Sequence, residues 1–199
     1  MESSSVRWAY SRLAEPYIEM FATGEHEHVD DLELIRRHLT TRPGVVLDLG
    51  CGPGHLTRLL GDGGATVRGF DVSPEFIDHA RKAHAGIEFE LGSITELPLP
   101  DASVSGALCW YSLIHFAPEA IDGALTEIRR VLEPGGRLVV GFFVGDALEP
   151  FEHQVVTAYR WPVDDLALRL KAAGLDETER LQRDQQDRRP HGALVARAV

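Results

Sequence analysis

The stretch from Val45 to Leu60, VVLDLGCGPGHLTRLL, joins an apolar run to a helical pattern through three alternate glycines, Gly50, Gly52 and Gly54. The run Val45–Leu49 lacks polar alternation, which is typical of a parallel strand that is buried on both faces. Glycine loses more backbone entropy on folding than other residues, so this density indicates that something approaches the main chain closely. The stretch predicts a strand, a glycine turn and a helix, and the turn either faces a ligand or is simply tight.

The same alternation of short apolar runs and helical patterns continues along the chain, which predicts an α/β fold with a mostly parallel sheet. Seven strands are predicted, at 45–49, 65–70, 87–91, 103–109, 137–144, 176–181 and 193–198. The helices between them are predicted at 53–60, 74–84, 119–132 and 162–173. The last two strands are expected to pair as an antiparallel hairpin across the polar stretch 180–189.

The N-terminal region does not share this alternation. Residues 1–44 are predicted to form a helical cap beside the ligand edge of the core, 45–199. Apolar residues are partly periodic between Leu32 and Leu39, and Asp30 with Glu33 has the spacing of a capping box. The cap is too short for a second domain, so the whole chain of 199 residues is expected to form one domain.

The composition is that of an ordinary globular protein, with 44% apolar and 26% charged residues. The formal net charge is -11 and there is no Lys/Arg stripe, which argues against nucleic acid or an anionic membrane surface as the partner. Cys51 and Cys109 fit neither a disulfide framework nor a zinc module. The sequence shows no signal-peptide pattern and no apolar run of membrane-spanning length. We therefore expect a cytoplasmic protein.

Two carboxylates accompany the glycine turn. In open α/β sheets, ligands bind beyond the carboxyl ends of the strands, where the strand order reverses. Asp71 ends the second predicted strand, where a carboxylate can accept hydrogen bonds from a ribose diol. Asp48 precedes the turn, and its charge suits an ammonium or sulfonium group better than a pyrophosphate. A dinucleotide fingerprint needs glycine where His55 stands, so a nicotinamide cofactor is disfavoured and another nucleoside-bearing cofactor is predicted.

At these residues the sequence resembles the class I, seven-β-strand S-adenosylmethionine-dependent methyltransferases. The matching segments are VLDLGCGPG at 46–54, GFDVSP at 69–74, LPLPD at 97–101 and IRRVLEPGGRL at 128–138. The likeness runs from about residue 45 to residue 144. It implies a three-layer, Rossmann-like fold and S-adenosylmethionine as the cofactor, with S-adenosylhomocysteine as the product.

The resemblance also implies a set of cofactor-binding residues. Those assigned to the methionine moiety are Asp48, Gly50, Cys51, Gly52 and Gly54. Those assigned to the ribose and the adenine are Asp71, Val72, Ser93 and Ile94. Tyr17, in a segment where relatives close a helix over the cofactor, and Trp110, after the fourth strand, complete the set. Ser93 and Ser105 depart from the family, which often has Asp at these positions.

Methyl transfer is an in-line displacement, for which an enzyme aligns the acceptor and removes its proton. His115 is the candidate general base because its ordinary pKa suits a phenol or an acidic hydroxyl, and a structural histidine bonded to a loop carbonyl is the alternative. The predicted substrate-binding residues are Tyr10, Tyr111, His153, Tyr159 and Trp161. Trp110, Tyr111, Phe143 and Trp161 would form an aromatic pocket if they converge, although aromatic residues also serve as plain core.

The stretch EHEH at 25–28 contains metal-ligand residue types. His26 and His28 are two positions apart, so they face opposite ways in a strand and are poorly aligned on a helix. The sequence also lacks an HExxH pattern. No metal site is therefore predicted.

Together these features predict a methyltransferase that acts on a small molecule. A short cap and a short insertion after the fifth strand leave no room for a macromolecule-recognition domain. Oxygen methylation of a hydroxylated metabolite is the hypothesis, and nitrogen or carbon stays open as the acceptor atom. A second hypothesis is a protein that binds S-adenosylmethionine without methylating, as a sensor or a partner subunit. The sequence is compatible with a homodimer. It does not identify the methyl acceptor.

Overall fold

The computed structural model describes residues 3–22, 24, 27–153, 156–184 and 189–199, with side chains from residue 7 onward. Within these ranges the strands are β1 (Val45–Leu49), β2 (Thr66–Asp71), β3 (Glu88–Leu91), β4 (Val104–Trp110), β5 (Leu132–Val144), β6 (Glu149–Phe151), β7 (Ala158–Trp161), β8 (Leu175–Arg183) and β9 (His191–Ala198). The helices are α1 (Ser3–Arg12), α2 (Ala14–Phe21), α3 (Val29–Leu39), α4 (His55–Asp62), α5 (Pro74–Ala83), α6 (Ile121–Val131) and α7 (Val163–Ala172). A short 3₁₀ turn, Leu113–His115, follows β4.

The sheet is parallel through β3-β2-β1-β4-β5, in that order. Beyond β5, β9 pairs antiparallel with β5, and β8 pairs antiparallel with β9. The strand order reverses at β1, which lies between β2 and β4, so a ligand-binding crevice is expected at the carboxyl ends of β1 and β4. The predicted α/β fold, its mostly parallel sheet and its C-terminal hairpin are confirmed.

The prediction of seven strands was too low, because β6 and β7 add a hairpin to the same sheet. β7 pairs in parallel with the end of β5 through Phe143 with Arg160 and Val144 with Trp161. These strands are three and four residues long, too short to show a period in the sequence. Pairing of β7 with β5 and of β6 with β7, not local sequence, makes them strands.

Helices cover both faces of the sheet, which gives the three layers that were expected. On one face Leu47 and Leu138 share a buried cluster with Leu125 of α6. On the other face Val46 and its neighbours share a cluster with Ile35 of α3. Adjacent strand residues therefore point into opposite cores, as the pleat of a strand requires. None of the helices in the described ranges is long and apolar enough to cross a bilayer.

Two helix starts differ from the sequence prediction. The Asp30–Glu33 capping box was wrong, because the residue that caps α3 is His28, whose Nδ1 accepts a hydrogen bond of 3.3 Å from the backbone N–H of Asp30. Helix α4 begins at His55 and not at residue 53. Gly54 precedes it with a left-handed φ of +90°, which an L side chain rarely adopts.

Candidate active site

A cavity of about 430 Å³ opens at the carboxyl ends of β1, β2 and β4, beneath residues of α1 and α2. Fourteen residues of the predicted site line it: Tyr10, Tyr17, Asp48, Gly50, Cys51, Gly52, Asp71, Val72, Ser93, Ile94, Trp110, Tyr111, His115 and His153. The other three, Gly54, Tyr159 and Trp161, do not line it. The crevice therefore lies where the reversal of strand order places it.

Glycine is not required for the same physical reason at all three positions of the β1–α4 turn. A Cβ at Gly50 would lie 2.3 Å from the Cβ of Ser112, and one at Gly54 would lie 2.9 Å from the ring of Phe89. Packing inside the protein thus requires both. A Cβ at Gly52 would meet only Tyr17, at 3.9 Å, and Gly52 has a φ of +53°. Of the three, Gly52 is the one whose open side faces the cavity, so Gly54 is a packing residue and not a wall of the site.

Asp48 and Asp71 are buried, being 2% and 9% exposed, and both line the cavity. Asp71 accepts hydrogen bonds from the backbone N–H of Gly52, 2.9 Å from Oδ2, and of Ser73, 2.8 Å from Oδ1. Asp48 accepts one from the hydroxyl of Thr57, at 2.6 Å. Burial raises the pKa of Asp71 and raises that of Asp48 to about 6. We call these two carboxylates, together with Gly52, the acidic wall.

Aromatic residues of α1 and α2 form the roof of the cavity. Tyr10 and Tyr17 pack edge to face with ring centroids 5.6 Å apart, and Tyr17 also packs on Phe76 of α5 at 5.2 Å. Burial raises the pKa of both tyrosines well above the ordinary value. Both hydroxyls therefore stay protonated at neutral pH and act as hydrogen-bond donors.

Glu27 ties the N-terminal segment to the strand ends. One of its carboxylate oxygens accepts a 3.0 Å hydrogen bond from the indole N–H of Trp110, and the other lies 3.4 Å from Nε2 of His55. The EHEH stretch is thus partly accounted for by this contact and by the cap that His28 provides. Glu25 and His26 lie outside the described residues.

His115 is 4% exposed and uses both ring nitrogens. Nδ1 lies 3.2 Å from the carbonyl oxygen of Thr157, and Nε2 lies 2.7 Å from the hydroxyl of Tyr10. A carbonyl only accepts, so Nδ1 carries the hydrogen and the Tyr10 hydroxyl donates to Nε2. Burial lowers the pKa of His115, which keeps the ring neutral. The loop-carbonyl contact is the one expected of a structural histidine, but the ring also lines the cavity.

The sequence prediction named His115 and His153 but missed a third histidine of the site, His191, at the start of β9. Its Nδ1 is bonded to the hydroxyl of Tyr111, and its Nε2 lies 3.2 Å from Oδ1 of Asp31 on α3. Arg183 binds the other oxygen of Asp31. All four residues line the cavity. We call Tyr111, His115, His153 and His191 the histidine wall.

Ring contacts connect the histidine wall. His153 lies 5.4 Å from His115 and 6.1 Å from Phe143, and Phe143 lies 4.7 Å from Tyr111, between ring centroids. Burial, His115 and Arg189 lower the pKa of His153 to about 4. His115 and His153 therefore present neutral imidazoles at neutral pH. The predicted aromatic pocket forms with Trp110, Tyr111 and Phe143 but without Trp161.

Trp161 and Tyr159 are corrections to the predicted substrate set. Trp161 is 1% exposed in the main core, with the guanidinium of Arg169 5.2 Å from its ring centroid. Tyr159 lies in β7 opposite Pro150 and packs against the same core. Strand β7 was not predicted, so the direction of these side chains could not be derived from the sequence.

Residues 46–136 match the methyltransferase domain family. The malonyl-[acyl-carrier protein] O-methyltransferase of Serratia marcescens is 33% identical over 111 residues, which are 55% of this chain and 43% of that protein. The O-methyltransferase cnsE of Penicillium expansum is 33% identical over 169 residues, 71% of this chain and 59% of that protein. The chain thus spans about half the length of the curated relatives that it matches.

The fold is similar to that of Burkholderia thailandensis 1,6-didemethyltoxoflavin-N1-methyltransferase, which was crystallised with 1,6-didemethyltoxoflavin and S-adenosylhomocysteine. The TM-score is 0.73 at 24% identity, over 96% of this chain and 90% of that one. Residues 46–136 therefore match a methyltransferase domain, and the fold is that of class I S-adenosylmethionine-dependent methyltransferases. The resemblance read from its motifs is confirmed.

The two walls differ in whether they lie within the segment that matches the methyltransferase domain family. The acidic wall lies wholly within the matched segment 46–136. His153 and His191 of the histidine wall lie outside it, as does the Tyr10 of the roof. The roof and the histidine wall therefore include residues from segments before and after the one that matches the family.

Proposed function

We propose that this methyltransferase binds S-adenosylmethionine in the cavity and directs methyl transfer to a hydroxyl oxygen of a small molecule. The observation that carries the proposal is the pair Asp48 and Asp71. Both are buried and line the cavity, and among the described residues neither has a Lys, Arg or His nitrogen within 4.0 Å. Buried carboxylates are costly without a cation, and a ligand with ammonium and sulfonium groups supplies one.

The acidic wall fits the cofactor in further respects. Gly52 offers bare backbone to the cavity. Each oxygen of Asp71 uses one lone pair on a backbone N–H, which leaves acceptor capacity for two ribose hydroxyls. Val72, Ser93 and Ile94 line the adjoining surface, where the adenine is proposed to lie. When bound, S-adenosylmethionine supplies an electrophilic methyl group on its sulfonium.

The histidine wall is proposed to hold the acceptor. A cavity of about 430 Å³ is in the range of small-molecule sites. The two curated relatives described above are named O-methyltransferases, which supports oxygen as the acceptor atom, whereas the structural neighbour is named an N1-methyltransferase. His115, which the sequence predicted as the base, lines this wall. Because Tyr10 occupies its Nε2, His115 would act on a substrate through the hydroxyl of Tyr10.

Calorimetric titration tests the cofactor assignment. We expect S-adenosylmethionine and S-adenosylhomocysteine to bind, and NADH not to bind. Asp71→Ala should weaken the binding of S-adenosylmethionine and of S-adenosylhomocysteine by roughly 1.5–3 kcal/mol, the value of hydrogen bonds to a charged group. Asp78→Ala, an exposed carboxylate on α5, is the matched control and should leave affinity unchanged. Equal affinity of the Asp71→Ala and unaltered proteins would remove the ribose assignment.

A further inference from the structure

We propose that Tyr111, His191 and Asp31 form a relay that accepts the proton of the acceptor hydroxyl during methyl transfer. The inference rests on the proposed function and assigns the base of that reaction. Tyr111 contacts the acceptor and is the catalytic residue. His191 and Asp31 act through Tyr111, as positioning residues.

The relay brings together three elements that are distant in sequence. Tyr111 follows β4, His191 begins β9 and Asp31 lies on α3. Asp31 and His191 are 3% and 5% exposed, so water competes little for their contact. Neither Nε2 of His191 nor Oδ1 of Asp31 has a well-aligned hydrogen bond elsewhere among the described residues. At 3.2 Å they are each other's partners, and a small rotation of either side chain would align them.

The charge of Asp31 fixes the direction of each contact. Burial acts to raise the pKa of Asp31, but hydrogen bonds from His191 and Arg183 outweigh it and lower the pKa below its usual value. Asp31 is therefore an ionised acceptor at neutral pH, and Nε2 of His191 carries the hydrogen that faces it. Nδ1 of His191 then carries no hydrogen and accepts a hydrogen bond from the hydroxyl of Tyr111.

The fold holds Tyr111 in an unusual conformation. Its φ of +56° is left-handed, which among the described non-glycine residues occurs only here and at Ala102. Its ring packs at 4.7 Å from Phe143 and 5.7 Å from Trp110, between centroids. Strained backbone of this kind persists where the surrounding structure over-determines it, and it concentrates at functional sites. Here it turns the hydroxyl from the end of β4 toward His191 at the cavity.

The relay is a better proton acceptor than His115. An imidazolium at His191 would face the carboxylate of Asp31, which stabilises the positive charge. An imidazolium at His115 would face the carbonyl of Thr157 and the hydroxyl of Tyr10, neither of which carries a charge. This is the reason why a buried carboxylate behind a histidine makes an effective base in hydrolase triads. His115, neutral and bonded to Tyr10, is left to orient the acceptor.

The proton step balances within these residues. The acceptor hydroxyl gives its proton to the oxygen of Tyr111 as Tyr111 gives its own proton to Nδ1 of His191. Tyr111 ends neutral, and His191 ends as an imidazolium beside the Asp31 carboxylate. The oxygen lone pair so released forms the bond to the methyl carbon, and the carbon–sulfur electron pair goes to sulfur.

Several charged or titratable groups face this relay, and they set its pH dependence. Asp31 from α3 and Arg183 from β8 contact each other beside His191. Arg189, two positions before His191, and His153 line the same cavity. Asp31 favours the imidazolium and the two arginines oppose it, so removal of the Asp31 charge should make His191 a weaker base.

The test uses 4-nitrophenol, whose phenolate is identified by its absorbance, on the protein loaded with S-adenosylhomocysteine. Below the pKa of the free phenol, the bound probe should be ionised in the unaltered protein. Asp31→Asn should lower the ionisation constant of the bound probe by about 10-fold or more, since an opposite charge at this range shifts a pKa by roughly 1–3 units. Asp30→Asn, an exposed neighbour on α3, is the matched control and should change nothing.

Tyr111→Phe keeps the buried pair of Asp31 with His191 and is the second variant, in case Asp31→Asn does not fold. It should abolish the phenolate signal. The relay is overturned if the bound probe stays protonated in the unaltered protein, if no probe binds to the loaded protein, or if Tyr111→Phe keeps the phenolate signal. Failure to bind S-adenosylhomocysteine would instead contradict the proposed function, so the two failures are distinguishable.

Discussion

At the scale of single residues, Asp48 links stability to ligand binding. Its pKa in the folded protein is raised by burial from 3.8 to about 6, so the folded state binds a proton that the unfolded state has lost. Stability from this group is therefore present below about pH 4 and declines as the pH rises through about 6. The ligand-free protein at neutral pH carries this cost in full.

Asp48→Asn should relieve that cost. Near pH 7.5 we expect the free energy of unfolding of the ligand-free protein to increase by about 3 kcal/mol, from a shift of roughly two pKa units at 1.36 kcal/mol each. Near pH 4 the increase should vanish. Urea unfolding at both pH values measures this, with the exposed Asp62→Asn on α4 as the control. A variant less stable than the unaltered protein near pH 7.5 would show that the ionised carboxylate is stabilising.

At the scale of elements, the β1–α4 turn separates a folding role from a binding role. Gly54→Ala would force a φ of +90° and a contact of 2.9 Å with Phe89, so we expect a loss of about 2–4 kcal/mol of stability from strain and overpacking. Gly52→Ala meets only Tyr17, at 3.9 Å, and should cost about 1–2 kcal/mol through its φ alone.

Ligand binding should be affected in the opposite order, more by Gly52→Ala than by Gly54→Ala. A methyl group at position 52 would project toward the cavity. Gly52→Ala should therefore weaken the binding of S-adenosylhomocysteine by about 10-fold or more, because the methyl group would clash with the ligand. Folded Gly54→Ala should bind almost normally. Thermal unfolding and calorimetry on the same preparations make the comparison. If both variants lose affinity equally, the turn acts as one unit and the distinction fails.

The elements that the sequence predicted correctly bury apolar residues at regular intervals, and those that it missed depend on contacts with distant parts of the chain. Strand β1 and helix α6 bury apolar residues in a regular pattern, so the hydrophobic period reveals them. Strands β6 and β7 are short and depend on pairing with each other and, for β7, with β5, which no local pattern encodes. The acidic wall was predictable because its residues lie at strand ends with a known geometry. Asp31 and His191 were not, because only the tertiary fold brings α3 beside β9.

At the scale of the whole molecule, the surface and the cavity use acidic residues differently. The net charge of -11 is spread over exposed side chains, where salt and water screen it. Asp48 and Asp71 are not screened, because they are buried in the cavity. Binding of a cationic ligand should therefore depend on the protonation of these two groups far more than on the overall charge.

This dependence gives a linkage that calorimetry can measure. Ligand-free Asp48 is protonated below about pH 6, and a bound ammonium or sulfonium favours its ionised form, so binding at lower pH must release a proton. We expect the affinity for S-adenosylmethionine to fall by up to about 10-fold for each pH unit below 6, as one coupled proton requires. Titrations in two buffers of different ionisation enthalpy should detect the released proton near pH 5.5 and little of it near pH 7.5. Asp48→Asn should abolish the release, whereas Asp62→Asn should not. Proton release that persists in Asp48→Asn would assign the linkage to Asp71, whose pKa burial also raises.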